Sequence, residues 1–266
     1  MFTSTGTHQK SNTTISMESV NPTTGTGLCS CLTVRLSDTC DYYRKNGTYP
    51  DEIDSRGQFT MYKDFDTCDV SRFLLSEYEK DPELSYVPFN CGWQYGWADD
   101  IQIDKLSEMA YTICHVSQRV GDKAYDMSKR LADRTAVLYR GNDKSKEIPT
   151  AEYEMFFQMA MDTGSKKFLV QTDEREFYHA FKKEFPDTIC FHELPMINKN
   201  VDSYVLPPKG QRVEFAVNFI AALKCIGQAK KIILATGNTS LWAILFRGNH
   251  NNVWQFNGNL NTWKKI

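Results

Sequence analysis

The sequence predicts an α/β protein whose C-terminal half is a parallel sheet flanked by helices. Two observations carry that reading. From about residue 133 the hydrophobic spacing switches repeatedly between short β-rich runs and longer helical stretches, and the polar residues able to do chemistry fall just past the ends of the β-rich runs. Short strands separated by helical segments of roughly 10–15 residues specify βα units, which join into a parallel sheet through right-handed crossovers.

The elements follow in chain order. Residues 1–20 are polar, rich in Ser and Thr and without an apolar signal core, and read as a flexible tail, with an edge strand as the alternative. Thr24-Gly-Thr-Gly27 precedes an amphipathic helix with Leu28, Leu32, Leu36, Thr39 and Tyr43 on one face, ending near Gly47 and Pro50. Residues 58–62 and 85–89 are candidate strands, and 103–131 is a long helix that Gly121-Asp122 divides. Residues 21–130 form the N-terminal half and 131–266 the C-terminal half.

In the C-terminal half, Thr135-Ala-Val-Leu-Tyr139 is a strand ending at Arg140-Gly141, and a helix follows Pro149 and closes at Gly164. Lys167-Phe-Leu-Val170 is the next strand, then Gln171-Thr172-Asp173, a helix over 174–185 and a strand at Thr188-Ile-Cys-Phe191. A loop with Pro207-Pro208 and Gly210 leads into a buried helix over 213–226. Ile232-Ile-Leu-Ala235 is a strand meeting Thr236-Gly-Asn-Thr-Ser240, a helix spans 241–246, and Val253-Trp-Gln-Phe256 adds a last strand.

Composition narrows the function. The 266 residues are 41% hydrophobic with a net charge of −2, which gives no basic field for general nucleic-acid binding. No apolar run reaches the roughly 18 residues that a membrane span needs. Eight cysteines without a signal peptide read as reduced core thiols, and Cys29-x-Cys31 lacks the spacing of a zinc knuckle. Asn-x-Ser/Thr sequons occur at Asn12, Asn46 and Asn238. The last lies in a candidate ligand loop that a glycan would block, which points to a cytoplasmic chain.

Ligands in open α/β sheets bind along the carboxyl edge of the strands. Three loops lie there. Thr236-Gly-Asn-Thr-Ser240 offers backbone N–H groups of Gly237, Asn238, Thr239 and Ser240 to an anion at a helix start, or else it caps that helix. Arg140 matches phosphate oxygens bidentately, or pairs with Asp143. Thr172 and Asp173 accept hydrogen bonds from a base or ribose, or cap the next helix. Glu147, on the Arg140 loop, is a candidate general base. Gly25-Thr-Gly27 is too short for a dinucleotide fingerprint, no Gly-Lys-Ser/Thr is present, and no Gly-x-Ser-x-Gly elbow exists. Asp64-Phe-Asp66 has the Asp-x-Asp spacing that holds a divalent cation on a diphosphate, or is a solvated acidic pair.

In order and spacing these loops resemble the fucosyltransferase superfamily of GT-B fold, which includes α1,6-, nodulation and protein O-fucosyltransferases. Leu138-Tyr-Arg-Gly-Asn-Asp-Lys144 is similar to the family string in which an arginine, Arg140 in this chain, holds the donor diphosphate. Phe168-Leu-Val-Gln-Thr-Asp-Glu174 resembles the second family block, Ala-Thr-Asp-Asp after a strand. Ala235-Thr-Gly-Asn-Thr-Ser240 is similar to the third, with a shift. Thr24-Gly-Thr-Gly27 resembles the glycine loop near which donor and acceptor meet, which gives Gly25 and Gly27 a donor-binding role. Leu138 replaces a family histidine. The acid that reads guanine falls near Asn218 or Glu214, and Glu147 lies about one residue from a catalytic glutamate of the α1,6 branch.

The resemblance, spread over residues 133–250 in short motifs, implies two Rossmann-like halves. It also implies an inverting, metal-independent sugar transfer that needs no cofactor. GDP-fucose is the first-choice donor, with a UDP-sugar such as UDP-xylose open, and the acceptor is a glycan or glycoprotein stacked on Trp93, Tyr95 and Trp97, rings that serve equally as core. Two other classes stand beside it. One is a non-catalytic nucleotide- or glycan-binding module; the other is a metal-dependent transferase using Asp64 and Asp66.

Overall fold

The computed structural model describes residues 13–18, 27–142, 147–199 and 206–266. The chain opens with strand β1 (Thr14–Glu18), helix α1 (Leu28–Asn46) and strand β2 (Glu52–Gly57), and β1 pairs parallel with β2. The short helix α2 (Ser71–Leu74) and helices α3 (Ile103–Ile113) and α4 (Gln118–Ser128) follow. Among the described residues the N-terminal half keeps a βαβ unit, with its sheet reduced to two strands and the remaining mass helical.

The C-terminal half alternates as the hydrophobic spacing requires. It runs β3 (Thr135–Tyr139), α5 (Tyr153–Asp162), β4 (Phe168–Thr172), α6 (Arg175–Glu184), β5 (Thr188–Ile189), α7 (Arg212–Gly227), β6 (Ile232–Ala235) and α8 (Asn238–Arg247). Strands β7 (Val253–Asn257) and β8 (Thr262–Lys265) close the chain. The sheet order is β5-β4-β3-β6-β7-β8, parallel except for β8, which returns antiparallel to β7. β3 and β4 are buried along their whole length, so Ala136–Tyr139 and Phe168–Val170 read as continuous apolar runs instead of alternating ones.

Alternation along those strands splits the core into two faces. Ala136, Leu138, Leu169 and Leu234 join a cluster that extends through α7 and α8 into α3, α4 and α1. Val137, Tyr139, Val170 and Ile233 face an aromatic cluster with Phe156, Phe177 and Phe181, in which Tyr139 stacks on Phe177 at 4.0 Å between ring centroids. The N-terminal half therefore has no separate core; it packs on the α7–α8 layer. Arg35, buried in α1, ties that half together: its Nε donates to the Ile113 carbonyl at 2.8 Å and its guanidinium also meets Ser55 Oγ.

Four expectations change. The helix expected over 103–131 breaks at residues 114–117, not at Gly121, because the Ser117 side chain accepts the Val120 N–H at 3.3 Å and starts a new helix. Gly121 lies within α4. Residues 58–62 form a 3-10 turn (Thr60–Tyr62) after Phe59 enters the left-handed region at φ 56°, and 85–89 are irregular; the strand lies at β2 instead. Within the segment read as a tail, residues 14–18 form β1, whereas 1–12, 19 and 20 lie outside the described residues. β8, not expected, follows a turn in which Asn257 Oδ1 accepts the Asn259 N–H at 3.0 Å.

Candidate functional site

The strand order places the site. From β3 the chain steps outward through β4 to β5, then returns to the other side of β3 to make β6. The loops after β3 and β6 therefore diverge in opposite directions and leave a crevice, the switch point where open sheets take ligands. Arg140 follows β3 and Thr236 follows β6. A cleft of about 550 Å³ opens there, bounded by these loops, the first turn of α1, the 94–95 segment and one face of α7.

Arg140 is held in that cleft by Asp173. Its Nε lies 3.3 Å from Asp173 Oδ2, and its guanidinium reaches Thr239 Oγ1 at 3.4 Å. Asp173 Oδ1 accepts the Gly141 N–H at 3.1 Å, so one carboxylate fixes both the side chain and the backbone after β3. The alternative partner Asp143 lies outside the described residues.

Glu174, only 2% exposed, accepts the Asn142 N–H at 2.8 Å and the Tyr153 hydroxyl at 2.7 Å. A Cβ on Gly141 would stand 1.9 Å from Glu174 Oε1. The glycine thus admits a buried carboxylate. Burial, the hydrogen bond to Glu174 and its charge together push the Tyr153 hydroxyl far up, so it stays a donor. Thr172 lines the cleft, and its hydroxyl accepts the Glu174 N–H at 3.0 Å. Of the two residues read as ribose contacts or helix caps, Thr172 makes the local backbone bond and Asp173 turns to Arg140.

On the other side, Gly237 sits at φ 140°, ψ 164°, open to glycine and strained for any other residue, and it starts α8. The first amides of a helix have no intrahelical acceptor, and those of Asn238, Thr239 and Ser240 occupy that position in a helix whose first turn lines the cleft. The Asn238 side chain is turned to α1: its Nδ2 donates to Ser30 Oγ and the Thr33 hydroxyl reaches its Oδ1, both at 2.9 Å. Trp242 Nε1 completes the clasp on Thr33 Oγ1 at 2.9 Å. Asn238 thus joins the two halves, and Thr239 and Ser240, both nearly buried, face the cleft.

Glu147 and Tyr95 line the same cleft. Burial, the nearby Glu147 charge and a hydrogen bond between the two side chains push the Tyr95 hydroxyl up. Gly27 caps α1 at the cleft wall, whereas Gly25 lies outside the described residues.

Neither candidate base-reading residue on α7 reaches the cleft. Asn218 is buried without lining it, and Glu214 pairs with Arg119 at 2.6 Å and Lys123 at 3.7 Å. The helical period instead turns Phe215, Phe219, Ala222 and Leu223 to the cleft. Asp64 is occupied at the start of α7, where its Oδ1 accepts the Gly210 and Arg212 N–H groups, each at 2.8 Å, and Asp66 is fully exposed beside Lys209. Of the three aromatic residues read as an acceptor platform, Tyr95 lines the cleft, and Trp93 and Trp97 pack against the core.

Sequence reasoning missed Cys29, Ser30, Tyr62 and Gln171, which also line the cleft. The first two sit in the first turn of a helix already singled out, and Gln171 directly precedes Thr172. Tyr62 carried no signal; its hydroxyl accepts the Leu28 N–H at 3.1 Å across 34 residues of chain. Cys29 is enclosed, and burial pushes its thiol up to about 12 against the opposing pull of Arg140 and a hydrogen bond to Thr239.

No family model and no curated protein sequence matches the chain. Solved structures do. The fucosyltransferase NodZ from Bradyrhizobium aligns with 96% of this chain and 99% of its own at 12% identity and a TM-score of 0.56. NodZ α-1,6-fucosyltransferase soaked with GDP-fucose gives 0.58 at 12% identity over the same shares, and the form co-crystallised with GDP gives 0.56 at 11% over 96% and 98%. Among the described residues no helix is long and apolar enough to cross a membrane, and no three His, Cys, Asp or Glu side chains gather as a metal set. With its switch-point cleft and near end-to-end alignment, this chain has the GT-B fold of the NodZ-type fucosyltransferases.

Proposed function

We propose that the protein is a glycosyltransferase that moves a sugar, fucose first, from a nucleoside diphosphate donor to a hydroxyl of a glycan or glycoprotein. The observation that carries this reading is the convergence of Arg140, Asp173 and the α8 amino end on one cleft at the switch point. An arginine beside a ring of helix amides neutralises a diphosphate leaving group as its charge develops.

In the proposed reaction the acceptor oxygen attacks the anomeric carbon while the bond from that carbon to the β-phosphate oxygen breaks, inverting the centre. Glu147 takes the acceptor proton, and Tyr95 holds the Glu147 carboxylate at the cleft. The charge neutralisation comes from Arg140 and the α8 amides, so the reaction runs without a metal or cofactor. The fold also belongs to structures solved with GDP-fucose and with GDP, which favours that donor.

A UDP-sugar is the second reading. It is favoured by one observation: the face of α7 toward the cleft is apolar, with Asn218 and Glu214 both turned away. We also infer a cytoplasmic chain, because a glycan on the Asn238 nitrogen would displace its bond to Ser30.

Donor hydrolysis over a panel of GDP- and UDP-sugars, with Mn²⁺ and with EDTA, tests the proposal. Release of GDP from GDP-fucose in EDTA is expected. Nucleotide binding with no turnover of any sugar donor identifies a non-catalytic module, and activity lost in EDTA identifies a metal-dependent transferase.

A further inference from the structure

Gln171 is the last residue of β4 to point to the α7 face of the sheet, in phase with Leu169. It lines the cleft and is only 6% exposed. Its Nε2 approaches the Thr172 carbonyl at 3.5 Å, and its Oε1 finds no hydrogen-bond partner among the described residues. A buried carboxamide oxygen without a donor is costly in a protein interior, unless a ligand completes it.

The strand order tells which part of a ligand that would be. The phosphate-binding groups sit at β3 and β6, and β4 lies one strand further, toward β5. Strands are about 4.8 Å apart, so Gln171 stands about one strand spacing from Arg140's strand. The cleft wall also carries an apolar, partly aromatic stretch, formed by Leu194, Ile197 and Leu206 from the segment after β5 and by Phe215 and Phe219 from α7. A nucleoside diphosphate laid with its phosphates at β3 and β6 puts its base against that stretch, flat between apolar groups, with a polar edge toward β4.

We propose that Gln171 is the specificity-determining residue of the donor pocket, its carboxamide oxygen accepting N–H groups from the edge of a guanine base. The inference rests on the nucleotide-sugar reading and assigns the base contact to β4 in place of α7. Guanine presents a ring N–H and an exocyclic amine side by side, which one carbonyl-type oxygen can take together. Uracil presents one ring N–H between two carbonyls, so its hold on the same oxygen is weaker.

The test is isothermal titration of the full chain with GDP, UDP and inorganic pyrophosphate, for wild type, Gln171→Met and Gln171→Glu. Methionine keeps the length and removes the acceptor; glutamate keeps an oxygen acceptor. The readout is the ratio of GDP affinity to pyrophosphate affinity, which loss of folded protein leaves unchanged. Gln171→Met is expected to lower that ratio about tenfold, while Gln171→Glu holds it near the wild-type value. GDP is expected to exceed UDP in wild type, and this preference to shrink in Gln171→Met. A ratio in Gln171→Met within about twofold of wild type overturns the proposal while the nucleotide-sugar reading stands. A wild-type chain that binds neither nucleotide overturns both.

Discussion

Asp173 serves Arg140 twice: its Oδ2 lies 3.3 Å from the Arg140 Nε, and its Oδ1 accepts the N–H of Gly141, the residue that carries the chain away from β3. Arg140→Ala removes a charge from the diphosphate site and is expected to weaken GDP binding by about 10- to 100-fold, the ~1.5–3 kcal/mol of a charged hydrogen bond. Asp173→Asn keeps an oxygen for Gly141 and should cost less. Titration calorimetry decides; unchanged GDP affinity in Arg140→Ala removes the central residue of the site.

Glu147→Gln keeps the size and the hydrogen bonding at the Tyr95 side of the cleft and deletes the base. Turnover is expected to fall by about 100- to 10,000-fold, the usual contribution of a general base. GDP affinity should stay within a factor of two or so, since the carboxylate is assigned to the acceptor. A variant with wild-type kcat shows that another group accepts the proton.

Gly141→Ala forces a methyl to within 1.9 Å of Glu174 Oε1, a carboxylate that also holds Asn142 and Tyr153. Overpacking of this kind costs about 1–3 kcal/mol, and the loop carrying Arg140 moves with it. Both Tm and GDP affinity should drop. In a Glu174→Ala background, which makes room, Gly141→Ala should lower Tm less than it does in the wild type; an equal loss in both backgrounds means the steric account is wrong.

Alkaline pH should destabilise the fold through its enclosed thiols. Burial pushes Cys29, Cys40, Cys114 and Cys225 up to about 12, and Cys31 to about 11. A group whose folded pKa is raised holds its proton longer when folded than when unfolded. Its stabilisation is therefore full below the unfolded value near 8.5 and is lost as pH rises toward the folded one. Tm should be flat from about pH 7 to 8 and fall steadily between about 9 and 11, and native protein should resist thiol alkylation at pH 8 at these positions. Rapid alkylation of Cys29 in folded protein would contradict its enclosure.

The order of strands and helices after residue 133 was legible because period and turn residues are local properties of the chain. So were the loops: Arg140, Thr172, Asp173 and the 236–240 run stand past strand ends on the sequence alone, and all reach one cleft. Partnership was not legible. Whether Asp173 meets a ribose or Arg140, whether the Asn238 side chain caps α8 or clasps α1, and whether Asp64 holds a cation or caps α7 depends on groups 33, 205 and 148 residues distant, respectively. The cleft-facing side of α7 was not legible for the same reason. A one-dimensional pattern places a residue on α7 but leaves open which of its faces meets the sheet, and packing turned Phe215 and Phe219 to the cleft and Asn218 away from it. The sequence determined which backbone elements form and what chemistry stands at their ends. The tertiary structure decided which of those groups face each other, since hydrogen bonds and burial act over ångströms in space and carry no memory of distance along the chain.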